Sequence, residues 1–472
     1  MRKVHFIGIG GVGMSAVALL LNEAGWRVTG SDAECYGPPR GILERGGIPF
    51  SIGYGPENIP ADTDCFVIGR NAKLAPSENA EVRAAHESGK PIYSFPEILS
   101  KLTRDRENLV VAGSYGKSTI ATLVAHILRH AGVDAGYFVG GEPVPTRWLK
   151  APAAFGNAAS FVLEGDEYPS AHDDPCAKFL HLHPRDVILT SVVHDHVNVY
   201  PAFESYQEPF RELLALVPGD GLVVACADEP GALALARASG RTLVTYGAKA
   251  AANYRAADIC YGSRTRFTLL AQGIRLGEVE TGLLGAHNVE NAVGAAAWVL
   301  ERGFASFDAV HAALADFKGI RRRLDAVAPA SCLPVYEGFG SSYEKARSAI
   351  KAMRTHFPDR LLVVIFEPHT FGWRNHANLG WYDDVFAGAA RVFVAPPETQ
   401  GSTTHDQLMH EEILKRIGPI AEPYRSPETT VASLSGSEAV LVLTSGSLQG
   451  TIPSLIEQLA ERFPNQDSNF RV

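Results

Sequence analysis

Short apolar runs of strand length recur along the chain, alternating with longer stretches whose apolar residues return every three or four positions. Val4–Ile9, Cys65–Gly69, Leu109–Ala112, Ser160–Leu163, Val187–Thr190, Gly221–Ala225, Leu361–Phe366, Arg391–Ala395 and Ala439–Leu443 read as buried strands. Thr119–Ala131 and Val289–Arg302 carry helical spacing. A strand covered on both faces is apolar throughout, and strands separated by helices pair in parallel. The alternation therefore predicts doubly wound α/β domains.

The 472 residues exceed one ordinary core, and at roughly 100–200 residues per domain three domains are expected. Polar Lys101–Asn108 and the Pro- and Ala-bearing stretch Ala326–Leu333 mark the joints. The expected domains are 1–105, 106–326 and 327–472. The polar tail Asn465–Val472 is expected to fray.

Composition narrows the class. A net charge of −9 argues against a broad nucleic-acid footprint. Six cysteines without a Cys-x-x-Cys pair read as reduced thiols of a cytoplasmic protein. The apolar start resembles a signal peptide, but its four glycines and Asn22-Glu23 spoil that pattern. No apolar run approaches the ~20 residues that span a bilayer, so no membrane partner is expected. The oligomeric state is not readable from the sequence.

Two glycine loops carry the candidate chemistry. Gly8-Ile9-Gly10-Gly11-Val12-Gly13 follows the first strand and opens a helix. Gly8, Gly10, Gly11 and Gly13 let the backbone turn its N–H groups onto a diphosphate, and Asp32, ending the next strand, can take ribose hydroxyls. A dinucleotide and a sugar-nucleotide fit this fingerprint equally, so a nicotinamide oxidoreductase stays open on it alone. Gly113-Ser114-Tyr115-Gly116-Lys117-Ser118-Thr119 follows the strand Leu109–Ala112. There Lys117 can meet β- and γ-phosphates and Ser118 can ligate Mg²⁺. The usual first glycine of such loops is Val111 here. Glu164, beginning Glu164-Gly165-Asp166-Glu167, and His196, in His194-Asp195-His196, follow neighbouring strands and offer Mg²⁺ ligands. The histidine pair also suggests zinc, but no Cys or third His is spaced to complete such a site.

At Gly285-Ala286-His287-Asn288-Val289-Glu290-Asn291 the chain resembles the Mur ligase family. The resemblance extends over both glycine loops, Glu164–Glu167, Asp195-His196 and Phe317-Lys318-Gly319-Ile320-Arg321-Arg322-Arg323. It implies an α/β chain of three domains: an N-terminal Rossmann-like domain for a uridine nucleotide, a central P-loop ATPase, and a C-terminal Rossmann-like domain for the amine substrate. It implies ATP and Mg²⁺, and amide formation through an acyl-phosphate. By matching position, Lys117 and Ser118 would hold phosphate and Mg²⁺, Glu164 and His196 would ligate Mg²⁺, Asn288 would contact adenine, and Arg323 would neutralise phosphate charge.

Two branches of the family compete. Asp166-Glu167-Tyr168, Ala171, Asp174, Lys178-Phe179, His181 and Pro184-Arg185 resemble members that join UDP-N-acetylmuramate to the tripeptide L-alanyl-γ-D-glutamyl-diaminopimelate. So do Asp32-Ala33, Tyr36–Pro39 and Glu367-Pro368, whereas His369 is similar to members that add L-alanine. The tripeptide is the expected acceptor, with L-alanine or a changed amine as alternatives. The chain departs from the family at Tyr336–Tyr343, where two histidines and a proline are replaced and Glu337 keeps one carboxylate for ribose. It departs again at Thr190–Val193 and Ser445–Ser447. These losses keep a non-catalytic nucleotide-binding relative in view.

Overall fold

The computed structural model describes residues 1–70, 74–171, 174–196, 199–397 and 407–465, so most of the tail expected to fray lies outside the described residues. Three α/β sheet regions follow one another along the chain. The first holds β1 (Lys3–Ile7), β2 (Arg27–Asp32), β3 (Phe50–Ile52), β4 (Cys65–Ile68) and β5 (Ile92–Tyr93), ordered β3-β2-β1-β4-β5 and parallel throughout. The strand order reverses at β1, the place where open α/β sheets bind ligands beyond the strand ends.

The second sheet holds β6 (Glu107–Ala112), β7 (Gly136–Phe138), β8 (Ala153–Ala154), β9 (Ser160–Glu164), β10 (Asp186–Leu189) and β11 (Leu222–Cys226). It continues through β12 (Thr242–Gly247), β13 (Tyr254–Cys260), β14 (Thr265–Ala271) and β15 (Ile274–Thr281). The order is β15-β14-β13-β12-β11-β10-β6-β9-β7-β8. The parallel strand β6 lies between β10 and β9, with Ala112 beside Leu189 and Val111 beside Glu164. The third sheet holds β16 (Arg323–Ala326), β17 (Val335–Gly338), β18 (Leu361–Phe366), β19 (Arg391–Val394), β20 (Ala421–Pro423) and β21 (Glu438–Leu443). Its order is β16-β17-β21-β18-β19-β20, with β16 antiparallel to β17.

By compactness the chain divides into two units. One comprises Met1–Asp258, Thr268–Val279 and Glu290–Phe317; the other comprises Ile259–Phe267, Glu280–Val289 and Lys318–Val472. In the first unit a core runs from Val4, Phe6 and Leu20 to Val110, Leu163, Leu189 and Phe210. Each such side chain contributes roughly 1.5–3 kcal/mol by leaving water, so the strands that end at the phosphate loop sit on a rigid floor. Among the described residues no helix is long and apolar enough to cross a membrane. All six cysteines are free thiols.

Candidate active site

The phosphate loop is built on two glycines at backbone positions that strain any other residue. Gly113 has φ +139°, and a Cβ there would lie 2.1 Å from Thr190 Oγ1 and 2.7 Å from the Ser191 backbone. Gly116 has φ +84°, and its Cβ would meet Asn291 Oδ1 at 2.6 Å. Such positive φ values are strained for any side chain. Val111, at the position of the usual first glycine, is fully buried within β6 and paired on both sides. The loop therefore starts two residues later than the strict pattern requires. Helix Lys117–His130 begins at Gly116, whose lack of a side-chain cap leaves the first N–H groups facing the loop.

The loop is anchored to the segment after β10. The N–H groups of Ser114 and Tyr115 donate to Ser191 O and Ser191 Oγ, each at 2.9 Å, and Thr190 Oγ1 donates to Tyr115 O. Ser118 Oγ donates to Glu164 Oε1 at 2.6 Å, and Gly140 N–H holds Glu164 Oε2 at 2.5 Å. Lys117 Nζ meets Glu167 Oε2 at 2.7 Å. His196 Nε2 and the Tyr206 hydroxyl each lie 3.3 Å from Glu167 Oε1. Glu167 is only 1% exposed. It lifts the imidazole pKa of His196 above its ordinary value, helped by Asp195 and opposed by burial and Lys117. His196 itself adopts a left-handed backbone, φ +55°, a strained conformation of the kind that gathers at working sites.

Five groups thus converge, Glu164 at the end of β9 and Glu167 beyond it, His196 beyond β10, and Lys117 and Ser118 on the helix that follows β6, and they sort into two sets. Ser118 meets Glu164; Lys117 and His196 meet Glu167. The first set offers two hard oxygens, which suits Mg²⁺ because that ion keeps several waters and takes phosphate oxygens. The glycine cradle and the uncapped helix start suit a polyphosphate. Together the groups can position a phosphoryl group and neutralise its charge, which is most of what phosphoryl transfer requires.

The N-terminal loop is equally ordered. The N–H groups of Gly8 and Ile9 donate to Ser31 O at 2.8 and 3.0 Å. Gly10 N–H donates to Asp32 Oδ2 at 2.7 Å, and Tyr54 OH donates to Asp32 Oδ1 at 3.0 Å. Helix Val12–Glu23 starts at Gly11 without a side-chain cap, and Gly13 packs on Phe95, 3.5 Å from its would-be Cβ. Asp32 therefore braces the glycine turn. Burial, and then the Asp32 charge, push the Tyr54 phenol up to about 12.

The remaining candidates lie in the second unit. Asn288 is buried in the first turn of helix Ala286–Glu301, its Nδ2 donating to Leu284 O at 2.8 Å. Glu337 on β17 is buried, and Arg322 Nε reaches its Oε1 at 3.1 Å. Arg323, the expected arginine, is exposed on β16 opposite Gly338. Burial followed by the charge of Glu337 pushes the Asp325 carboxyl up to about 7.

Motif reading assigns no site role to Glu167, Thr190, Ser191, Tyr54 or Arg322. Glu167 was readable as the second carboxylate of an acidic turn, but nothing in its spacing says that it is buried against a lysine. Thr190 and Ser191 were noted only as departures from an amide-bearing pattern. Here they tie down the loop.

Residues 3–107 match the model described as "Mur ligase family, catalytic domain", and residues 111–299 match the Mur ligase middle domain. A UDP-N-acetylmuramate–L-alanine ligase of Aquifex aeolicus is 32% identical over 79% of this chain and 78% of its own length. A UDP-N-acetylmuramate–alanine ligase from Thermotoga maritima shares the fold, with TM-score 0.78 and 24% identity over 98% of this chain and 100% of that one. A UDP-N-acetylmuramate:L-alanyl-γ-D-glutamyl-meso-diaminopimelate ligase from Neisseria meningitides, 30% identical, covers 68% of this chain and 100% of its own, with TM-score 0.59. With its three α/β sheet regions and both family segments in order, the chain belongs to the Mur ligase family and is an ATP-dependent amide-bond ligase.

Proposed function

We propose that the chain activates the carboxylate of UDP-N-acetylmuramate with ATP and joins it to L-alanine. The observation that carries the ligase chemistry is the convergence of Lys117, Ser118, Glu164, Glu167 and His196 about the Gly113–Ser118 loop. In this reading the substrate carboxylate attacks the γ-phosphorus, ADP departs, and the amine then displaces phosphate from the acyl-phosphate. Lys117 leaves Glu167 to meet the charge on the transferring group. Ser118 and Glu164 would hold Mg²⁺, which when bound supplies charge neutralisation, and His196, which meets Glu167 here, would have to turn from it to join them. The family resemblance assigns Asn288 to adenine, Glu337 to ribose and Arg323 to phosphate charge. The domains 1–105, 106–326 and 327–472 divide nucleotide-sugar, ATP and amine between them, with Gly8, Gly10, Gly11 and Gly13 against the UDP diphosphate.

L-Alanine is supported as acceptor by the names of the curated relatives, in place of the tripeptide that the sequence motifs favoured. The tripeptide stands as the second reading. It is supported by Asp166, whose carboxylate meets Lys178 Nζ at 2.5 Å, by Tyr168 beneath Arg70, and by the similarity to the Neisseria structure. The test offers UDP-N-acetylmuramate and Mg–ATP with either amine and follows product mass and phosphate release. Product with L-alanine supports the first reading, product with the tripeptide alone supports the second, and product with neither removes both.

A further inference from the structure

The turn Leu284–Asn288 opens helix Ala286–Glu301 and carries the residue that the family resemblance assigns to adenine. Gly285 gives the turn its shape. Its φ is +92°, and a Cβ there would lie 2.8 Å from His287 Cε1 and 3.3 Å from Ala352 Cβ. Its carbonyl accepts from Asn288 N–H at 3.0 Å, and Asn288 Nδ2 donates to Leu284 O at 2.8 Å. Leu284 is buried in the same core as Ala349, Ala352 and Met353 of helix Tyr343–His356. Where Asn288 sits is thus set by what holds the turn to that helix.

His356, the last residue of that helix and only 3% exposed, ties the turn down. Gly285 N–H donates to its Nε2 at 2.8 Å, and its Nδ1 stands 2.7 Å from Gly262 O, between β13 and β14. A backbone N–H can only donate and a carbonyl can only accept. The ring that satisfies both is neutral, with its proton on Nδ1. An imidazolium would set a second N–H against that of Gly285 and leave a buried donor unpaired. Burial, partly offset by the Gly262 carbonyl, holds the imidazole pKa below its ordinary value. The titratable groups facing it are Tyr261, edge-on with ring centres 5.2 Å apart, and His287, whose own protonation His356 opposes. Arg354, on the same helix, is turned to the carbonyls of Phe357, Pro358 and Arg360.

We propose that neutral His356 is a positioning residue for nucleotide binding: it holds the Gly285–Asn288 turn in the shape that presents Asn288 to adenine, and releases it on taking up a proton. This rests on the reading that places adenine at Asn288. The imidazole acts through the turn. Its loss should therefore weaken binding through adenosine and spare binding through phosphate, which the Gly113–Ser118 loop carries.

The experiment uses the full-length chain and calorimetry with two probes, a non-hydrolysable Mg–ATP analogue and Mg–tripolyphosphate, which lacks adenosine. His356→Leu leaves Gly285 N–H unpaired and should weaken the analogue by about three- to tenfold, with tripolyphosphate changed by less than about twofold. His356→Gln, whose amide oxygen can accept from Gly285 N–H, should recover most of that loss. In the wild type carrying nitrogen-15-labelled histidine, the resonance missing from His356→Gln should report a proton on Nδ1 at neutral pH. The analogue should lower the pH at which that resonance titrates, because binding and the neutral form favour each other. That titration decides the matter if the leucine variant fails to fold. Equal weakening of both probes, an unchanged analogue affinity in His356→Leu, or a titration that the analogue leaves in place overturns the proposal. Asn288→Ala tests the adenine reading separately. Unchanged analogue affinity there removes that reading, whereas a loss there with none in His356→Leu removes only the role of His356.

Discussion

Glu167→Gln removes one charge from the centre of the site and keeps its shape. In the unliganded chain Glu167 is 1% exposed and holds Lys117 Nζ at 2.7 Å, with Lys117 itself only 15% exposed. Replacing it leaves a largely buried ammonium without its hydrogen-bonded carboxylate. A hydrogen bond to a charged group contributes about 1.5–3 kcal/mol, so the unliganded variant should be less stable by about that amount. A polyphosphate arriving at the loop then supplies the missing negative charge and no longer competes with Glu167 for Lys117. By linkage the nucleotide should bind about 10-fold tighter or more to the variant than to the wild type. The assay is thermal melting across a series of Mg–ATP-analogue concentrations, paired with calorimetric Kd values. A lower melting temperature without nucleotide and a larger nucleotide-induced rise are expected together. If nucleotide binding weakens or is unchanged, the competition for Lys117 is refuted.

Three further outcomes are expected. Lys117→Ala should lower kcat by about 10³-fold in phosphate-release assays, since charge stabilisation of the transferring phosphoryl group is lost; full activity would remove the mechanism. Gly113→Ala combines a φ of +139° with a Cβ 2.1 Å from Thr190 Oγ1, so ATP binding by calorimetry should vanish and stability should fall by roughly 1–3 kcal/mol. The Asp325 carboxyl is raised to about 7 when folded, from 3.8. The native state therefore holds a proton that the unfolded chain has released between those values, and stability falls as pH rises through that window. Asp325→Asn should stabilise the fold more at pH 8 than at pH 5, by at most about 3 kcal/mol from the roughly two pKa units between pH 5 and 7, read as a larger rise in melting temperature at pH 8, and an equal shift at both pH values would contradict it.

The nine strands read from apolar runs are all present, with ends displaced by at most two residues. Buried parallel strands announce themselves because both faces are apolar. β13 and β15 escaped because their faces are half solvated, Ile274 being 69% exposed. The phosphate loop was legible because its chemistry depends on glycines and a lysine in consecutive positions. The role of Glu167 was not, since it arises from a lysine fifty positions away and a tyrosine thirty-nine positions away. Arg322 and Arg323 are indistinguishable in a run of three arginines. The register of β16 and the left-handed backbone of Arg322, φ +62°, turn one toward Glu337 and leave the other exposed. Motifs alone do not fix the acceptor: Lys178 and Asp166, shared with the tripeptide branch, pair with one another here, while the curated relatives are named for L-alanine.

In the proposed reaction ATP phosphorylates the carboxylate of UDP-N-acetylmuramate. The most direct test of this step is turnover with that carboxylate labelled with oxygen-18, followed by mass spectrometry of the released phosphate. One labelled oxygen per phosphate is predicted, because the acyl C–O bond breaks when the amine attacks. Unlabelled phosphate, or label recovered in AMP, would contradict the account.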